Sequence, residues 1–503
     1  MKLAGRIAGL CLMILAGSAS ADPIQIKVEG GTVSGTLTND VAAYRNIPFA
    51  APPVGDLRWQ PPQKAKPWSG LRDGARPGTS CIQPMRPDGT PNLGGANGPM
   101  SEDCLQLNVF APKDAKKAPV MVWLHGGSHL YGAGWIFDGT HFARDGVILV
   151  AINYRLGPLG YFAHPALTKA ARPGEPLANY GLMDQVAALK WVQRNIGRFG
   201  GDPKNVTLFG ESAGGVSTLA VMALPQAAGL YQKAVVQSGL GWFAPVTLTQ
   251  KEADGVALAG RLCLANATPV ELRAAPALDL ISKLGREDYG PIVDGTYMTL
   301  TPSQAFAAGK VPDVPLIIGT NSGEDSVMGS SVAEATKLLA LMPLALRAAY
   351  VDEAGQGDEA LIRAATRDKV MAGPARWIAA KTSDGAPSWL YYFSYVGSRF
   401  RPMGIKTAFH AAEIQYVFDY WGRRTPESQI ANDDREMAKL MHGCWVAFAR
   451  TGAPTCGAAW PAYDPKTDTL LEFGAESGQR SHFRKAQLDA QTAFVLPTLN
   501  LPK

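Results

Sequence analysis

Val206-Thr207-Leu208-Phe209-Gly210-Glu211-Ser212-Ala213-Gly214-Gly215 is the stretch that decides the fold. Val206 to Phe209 lack a polar alternation and read as a strand buried on both faces. Gly210, Ser212 and Gly214 then match G-x-S-x-G, a sharp strand-to-helix turn that lifts a serine hydroxyl above the end of a sheet. Small residues are needed two positions either side of the serine because backbone passes close to backbone there, and Gly215 lets the following helix pack closely. A glycine-rich turn with an incidental serine would show the same five letters. The strand before them and the glycines after them make the nucleophile reading specific.

Similar apolar runs lie on either side of this segment, at 120–124, 147–152, 233–236 and 314–318. Between the second run and Val206, residues Leu182, Val186, Leu189, Val192 and Ile196 fall on one helical face. Strands alternating with helices predict a doubly wound α/β fold: a central, mostly parallel sheet with helices on both faces and helical insertions over the active site. The Ala-rich stretch 325–385 reads as helices, an insertion covering one end of the sheet. Of 503 residues, 46% are apolar and 18% charged, with 54 Gly and 37 Pro, which excludes a disordered or coiled-coil chain. Length alone suggests about three domains. Motifs spread from Arg45 to His410 along one sheet instead predict a single domain over residues 22–503.

Lys2 and Arg6 precede an apolar run, Ile7 to Ala16, and Ala19-Ser20-Ala21 supplies small residues for cleavage. Residues 1–21 therefore read as a secretory signal, with export to the periplasm or beyond after cleavage near Ala21. The run is too short to span a bilayer, so no stable membrane span is expected. Without Lys2 and Arg6 the net charge falls from +5 to +3, and no run of Lys or Arg marks a nucleic-acid partner. Cys81, Cys104, Cys263, Cys444 and Cys456 remain. In an oxidising compartment they predict two disulfides and one buried thiol. Cys444 lies on a helical face with Met437, Leu440, Met441 and Phe448, and Cys456 follows in a Gly/Pro loop that a bridge between the two would staple down.

A serine hydroxyl needs a base, and the base an acid to orient it. Among seven histidines, His125 and His129 sit beside the Gly126-Gly127 turn, while His141, His164, His442 and His482 have no informative loop context. His410 follows the strand-like run 389–395 and a loop. For the acid, Glu324 and Asp325 both follow the strand at 314–318, and position does not separate them. A carboxylate past the carboxyl end of a parallel strand is where such sheets place their sites. The order serine, acid, histidine is that of α/β-hydrolases. Acyl transfer also needs donors for a developing oxyanion, and the turn His125-Gly126-Gly127-Ser128 can bring its amides toward that of Ala213. Trp242 and Phe243, shortly after Gln237-Ser238-Gly239, are candidates to line an acyl pocket, with ordinary core packing as the alternative.

These motifs resemble those of type-B carboxylesterases, the cholinesterase and carboxylesterase family, nearest in style to bacterial para-nitrobenzyl esterases. The resemblance is carried by Tyr44 to Ala50 with Leu57-Arg58-Trp59, by Ser101 to Val109, by Asn179 to Gln185, and by Phe199 to Pro203 leading into Gly210 to Gly215. It implies a serine hydrolase acting on a small-molecule ester through an acyl-enzyme, without cofactor or metal. Carried over position by position, it makes Ser212 the nucleophile, Glu324 rather than Asp325 the acid, and His410 the base. It also implies oxyanion amides from Gly127, Ser128 and Ala213 and a disulfide from Cys81 to Cys104. Ser128 replaces the glycine or alanine usual at its position, and His129 replaces an aromatic. A specialised ester, carbamate, lactone or amide would suit the same triad. A non-catalytic, cholinesterase-like binding protein would more often have lost its nucleophile.

Cholinesterases place a cation-binding Trp between the two cysteines of the first disulfide, and residues 82–103 contain no Trp, Tyr or Phe. Acetylcholine is therefore expected to be a poor substrate beside a short-chain nitrophenyl ester. Comparable kcat/KM values for the two with purified protein would refute this.

Overall fold

Strands apolar at every position must be covered on both faces, and this requirement shapes the molecule. The computed structural model describes residues 22–502, other than 243–244, 329–336, 338 and 423–424. The proposed signal, 1–21, and Phe243 lie outside the described residues. In chain order the main strands are β1 (Asp22–Val28), β2 (Gly31–Thr38), β3 (Val41–Pro48), β4 (Gln106–Pro112), β5 (Ala118–Leu124) and β6 (Ile148–Ile152). They continue with β7 (Gly201–Glu211), β8 (Lys233–Gln237), β9 (Leu316–Asn321), β10 (Ser388–Phe393), β11 (Thr469–Phe473) and β12 (Gly478–Ser481).

They assemble into one sheet in the order β1-β2-β3-β4-β6-β5-β7-β8-β9-β10-β11-β12. From β6 to β11 every pairing is parallel. The flanking strands, β1 to β4 on one side and β12 on the other, pair antiparallel. Helices α1 (Tyr180–Asn195), α2 (Ala213–Met222), α3 (Leu248–Arg261), α4 (Asp358–Arg367), α5 (Gly373–Thr382) and α6 (Asn432–Thr451) follow in chain order.

Side-chain alternation along each strand feeds two separate cores. Val120, Val122 and Leu124 of β5 pack with Leu182 and Leu189 of α1 and Leu219 of α2 on one face. Met121 and Trp123 of the same strand pack with Met441, Trp445 and Phe448 of α6 on the other. Where the sequence predicted an insertion over 325–385, the last helix of that stretch is part of the sheet architecture: α5 lies against β9 and β10 and is the crossover between them. Apolar Trp377 and Ile378 on α5 join the same core as α1 and α2.

Both expected disulfides are present, Cys81 to Cys104 and Cys444 to Cys456. Cys263 corrects the expectation of a buried thiol, because it is free and exposed. It stands just past the end of α3 with φ 60°, a turn position that directs the side chain away from the core. An ion pair fixes the exit of β6 against α1: Arg155 donates its Nε, Nη2 and backbone amide to Asp184 at 2.8, 2.8 and 3.0 Å. Side chains on both sides of this pair are almost wholly shielded from water, 3% and 0% exposed, so neither charge can be removed without stranding the other.

Candidate active site

β7 ends at Glu211 and α2 starts at Ala213, so Ser212 alone makes the turn. Its φ of 57° and ψ of −124° lie where L-residues are strained. Hydrogen bonds on both sides hold it there: its amide donates to the Gln237 carbonyl at 2.9 Å, and its carbonyl accepts from Val216 at 2.8 Å. A Cβ at Gly214 would lie 1.9 Å from the Leu124 carbonyl oxygen, so only glycine lets α2 start this close to β5. Ser212 itself is half-buried.

Glu324 begins the short helical turn Glu324–Met328 directly after β9. It is completely buried. One carboxylate oxygen accepts from Ser238 Oγ at 2.5 Å, Asn321 N at 2.8 Å and Thr320 Oγ1 at 3.0 Å. The other lies 2.5 Å from His410 Nδ1. Burial on its own would raise the Glu324 pKa, but the His410 charge and these hydrogen bonds hold it below the usual carboxylate value. Asp325, the neighbour that position could not distinguish, points the other way and pairs with Arg363 of α4 at 3.0 Å.

His410 does not depend on its side chain for placement. Gly323 donates to the Ala408 carbonyl at 2.7 Å, continuing as a parallel bridge between Gly323 and Phe409. Ser322 Oγ accepts from Ala408 N, Ser326 Oγ accepts from His410 N, and Asn321 Nδ2 donates to the Phe409 carbonyl. The acid-bearing turn and the histidine loop thus form one stapled unit.

Two carboxylates to which the sequence assigned no role stand around His410. Glu211, the residue before the turn, puts Oε1 3.2 Å from His410 Nε2. Glu413 is completely buried and accepts from Gln237 Nε2 at 3.0 Å and Asn321 Nδ2 at 2.5 Å; burial raises its pKa. For His410, burial works against the charged ring, yet Glu211, Glu324 and Glu413 outweigh it and raise its pKa above that of an ordinary imidazole. Both carboxylates have a local signal, Glu211 inside the G-x-S-x-G motif and Glu413 three residues beyond His410. Ser238, whose hydroxyl donates to the Glu324 carboxylate, has only its place in Gln237-Ser238-Gly239 to mark it.

Gly127, Ser128 and His129 leave the end of β5 with φ of 107°, 56° and 52°. Leu130 and Tyr131 both donate to the Gly127 carbonyl, closing the turn. A Cβ at the preceding Gly126 would lie 3.1 Å from Ser212 Cβ, so this turn runs directly along the serine elbow. Among the described residues, no protein acceptor engages the amides of Gly127, Ser128 or Ala213. Burial drives the His125 pKa down to about 4, and its ring stacks on Tyr154 at 4.4 Å. Trp242 packs in the core against Trp377 and Gly373. Among the described residues, no three or more His, Cys, Asp or Glu are grouped to hold a metal ion.

A mostly parallel sheet covered on both faces, with a serine elbow at the carboxyl ends of its strands, defines the α/β-hydrolase class. The chain belongs to the carboxylesterase family, whose model matches residues 22–342 and 345–491, and it is a carboxylic ester hydrolase. Para-nitrobenzyl esterase of Bacillus subtilis (strain 168) is 36% identical over 479 residues, 90% of this chain and 95% of that protein. Fumonisin B1 esterase of Sphingopyxis macrogoltabida is 35% identical over 491 residues, 91% of this chain and 88% of that protein. Among solved structures, a thermophilic PNB esterase matches with a TM-score of 0.82 at 31% identity, over 93% of this chain and 99% of its own.

Because Glu211 stabilises the protonated ring, Glu211→Gln is expected to lower the His410 pKa by about one unit. Titration of the His410 ring by NMR in the two proteins checks the sign; an unchanged or higher value would contradict the arrangement.

Proposed function

We propose that the chain cleaves carboxylic esters through an acyl-enzyme on Ser212, with His410 as base and Glu324 as the acid that orients it. The observation that carries this reading is the buried Glu324 carboxylate at 2.5 Å from His410 Nδ1, at the same end of the sheet as the strained serine turn. Glu324 holds the imidazole tautomer with its proton on Nδ1. Once the Nε2 proton that faces Glu211 has been lost to solvent water, the freed lone pair accepts the Ser212 proton as Oγ attacks the ester carbonyl. Charge that develops on the carbonyl oxygen is met by the amides of Gly127, Ser128 and Ala213. Collapse of the tetrahedral adduct expels the alcohol, which takes the proton from His410. Water then attacks the acyl-enzyme by the same route, and the acid leaves with Ser212 restored.

The reading extends to the whole of residues 22–503 as one catalytic domain, exported after removal of residues 1–21. Two disulfides support an oxidising destination, and no helix among the described residues is long and apolar enough to cross a membrane. An intact mass starting at Asp22 in protein recovered outside the cytoplasm checks export; an uncleaved or cytoplasmic product would contradict it.

Ser212→Ala should reduce hydrolysis of a short-chain nitrophenyl ester by at least about a thousandfold, with an unchanged unfolding midpoint. Near-normal turnover by the folded variant would overturn the assignment of the nucleophile.

A further inference from the structure

His129 is out of character with its surroundings. It directly follows Ser128, whose amide belongs to the proposed oxyanion turn, and only 4% of it is exposed. Its ring reaches away from the turn toward the nucleophile helix, placing Nε2 2.9 Å from Ser217 Oγ on α2. Ser217 Oγ accepts in turn from Gln185 Nε2 of α1 at 2.9 Å. Both Ser217 and Gln185 are completely buried. Tyr161 packs edge-on to the imidazole at 5.2 Å, and the His129 carbonyl accepts from Gly157 at 2.7 Å. Burial, reinforced by neighbouring His125 and opposed by main-chain groups of Tyr289 and Ala213, takes the pKa of the ring down to about 3 and keeps it neutral.

Such a chain of bonds has a mechanical meaning. Ser128 and His129 both hold left-handed backbone conformations that their side chains disfavour, so the turn relaxes unless something outside it retains it. Two of the proposed donors, Gly127 and Ser128, lie on the turn, and the third, Ala213, opens α2. Stabilising an oxyanion requires all three to keep a fixed relative position before the reaction begins. A contact from the turn to α2, anchored also on α1, supplies that constraint.

We propose that His129 is a positioning residue that ties the oxyanion turn to the nucleophile helix through Ser217. This rests on the reading of Ser212 as nucleophile. An aromatic side chain of similar size fills the same space without a nitrogen for Ser217, so the tie depends on the imidazole and not on its bulk.

His129→Phe separates the two roles. Its kcat for a nitrophenyl ester should fall about tenfold with KM within about twofold, the signature of an interaction made in the transition state. Affinity for a trifluoromethyl ketone, which forms a tetrahedral adduct on serine, should weaken by the same factor. His129→Gln, which offers an amide nitrogen near the Nε2 position, should recover part of the loss. Ser217→Ala should reproduce the kcat effect, and the double variant should be no worse than either single one. A His129→Phe protein with kcat and ketone affinity within about twofold of the parent overturns the proposal, as does additivity of the two substitutions. If His129→Phe does not fold, His129→Gln is combined with Ser217→Ala instead, and additive losses in that pair overturn the proposal while non-additive losses support it. Should Ser212→Ala retain activity, the nucleophile reading fails first; should Ser212→Ala be inactive while His129→Phe is normal, only the positioning role fails.

Discussion

A carboxylate removed from water must be compensated on every side, and the Glu324 side chain imposes that demand on the centre of this molecule. Its two oxygens are met by a serine hydroxyl beyond β8, a threonine hydroxyl and a backbone amide at the end of β9, and an imidazole from the loop after β10. Those partners come together only when neighbouring parallel strands end in register. The register persists past the strands themselves, with Ser212 bonded to Gln237, Ser238 to Gly319 and Ser322 to Phe393. Misplacing one strand end would therefore leave a buried charge unsatisfied as well as displace His410.

Around that pair, charge is layered. Glu324 contacts one ring nitrogen of His410 and Glu211 the other, while Glu413 sits behind them in a bed of amide donors. Three acids near one histidine favour its charged form. In the proposed mechanism this arrangement stabilises the imidazolium formed in mid-cycle, and a higher pH is needed to empty Nε2 beforehand.

Much of this was legible in the chain because its signals are local. Strand-turn-helix character around Ser212 follows from residue size within ten positions, and two-sided burial of the central strands follows from their unbroken apolar runs. What the sequence could not separate by position depended on direction rather than composition. Glu324 and Asp325 are adjacent carboxylates on one helical turn, and only the turn's orientation sends one inward and the other to Arg363. Glu413 stayed unread because its meaning comes from Gln237 and Asn321, which are distant in sequence. The crossover role of α5 was missed for a related reason: Ala-rich helix is compatible with an insertion or with sheet cover, and packing on β9 and β10 decides which. Cys263 shows that an odd cysteine need not be sheltered when the backbone at its position turns outward.

The backbone staples between 321–326 and 408–410 have a bearing on how such a protein can change. They locate His410 from the side of the Glu324 turn, independently of the exposed segment 401–407 that leads up to it. Lengthening, shortening or rewriting that segment leaves the distance between Glu324 and His410 to the bonds that hold it. Variation in that segment and the geometry of the proposed acid–base pair are then separately inherited.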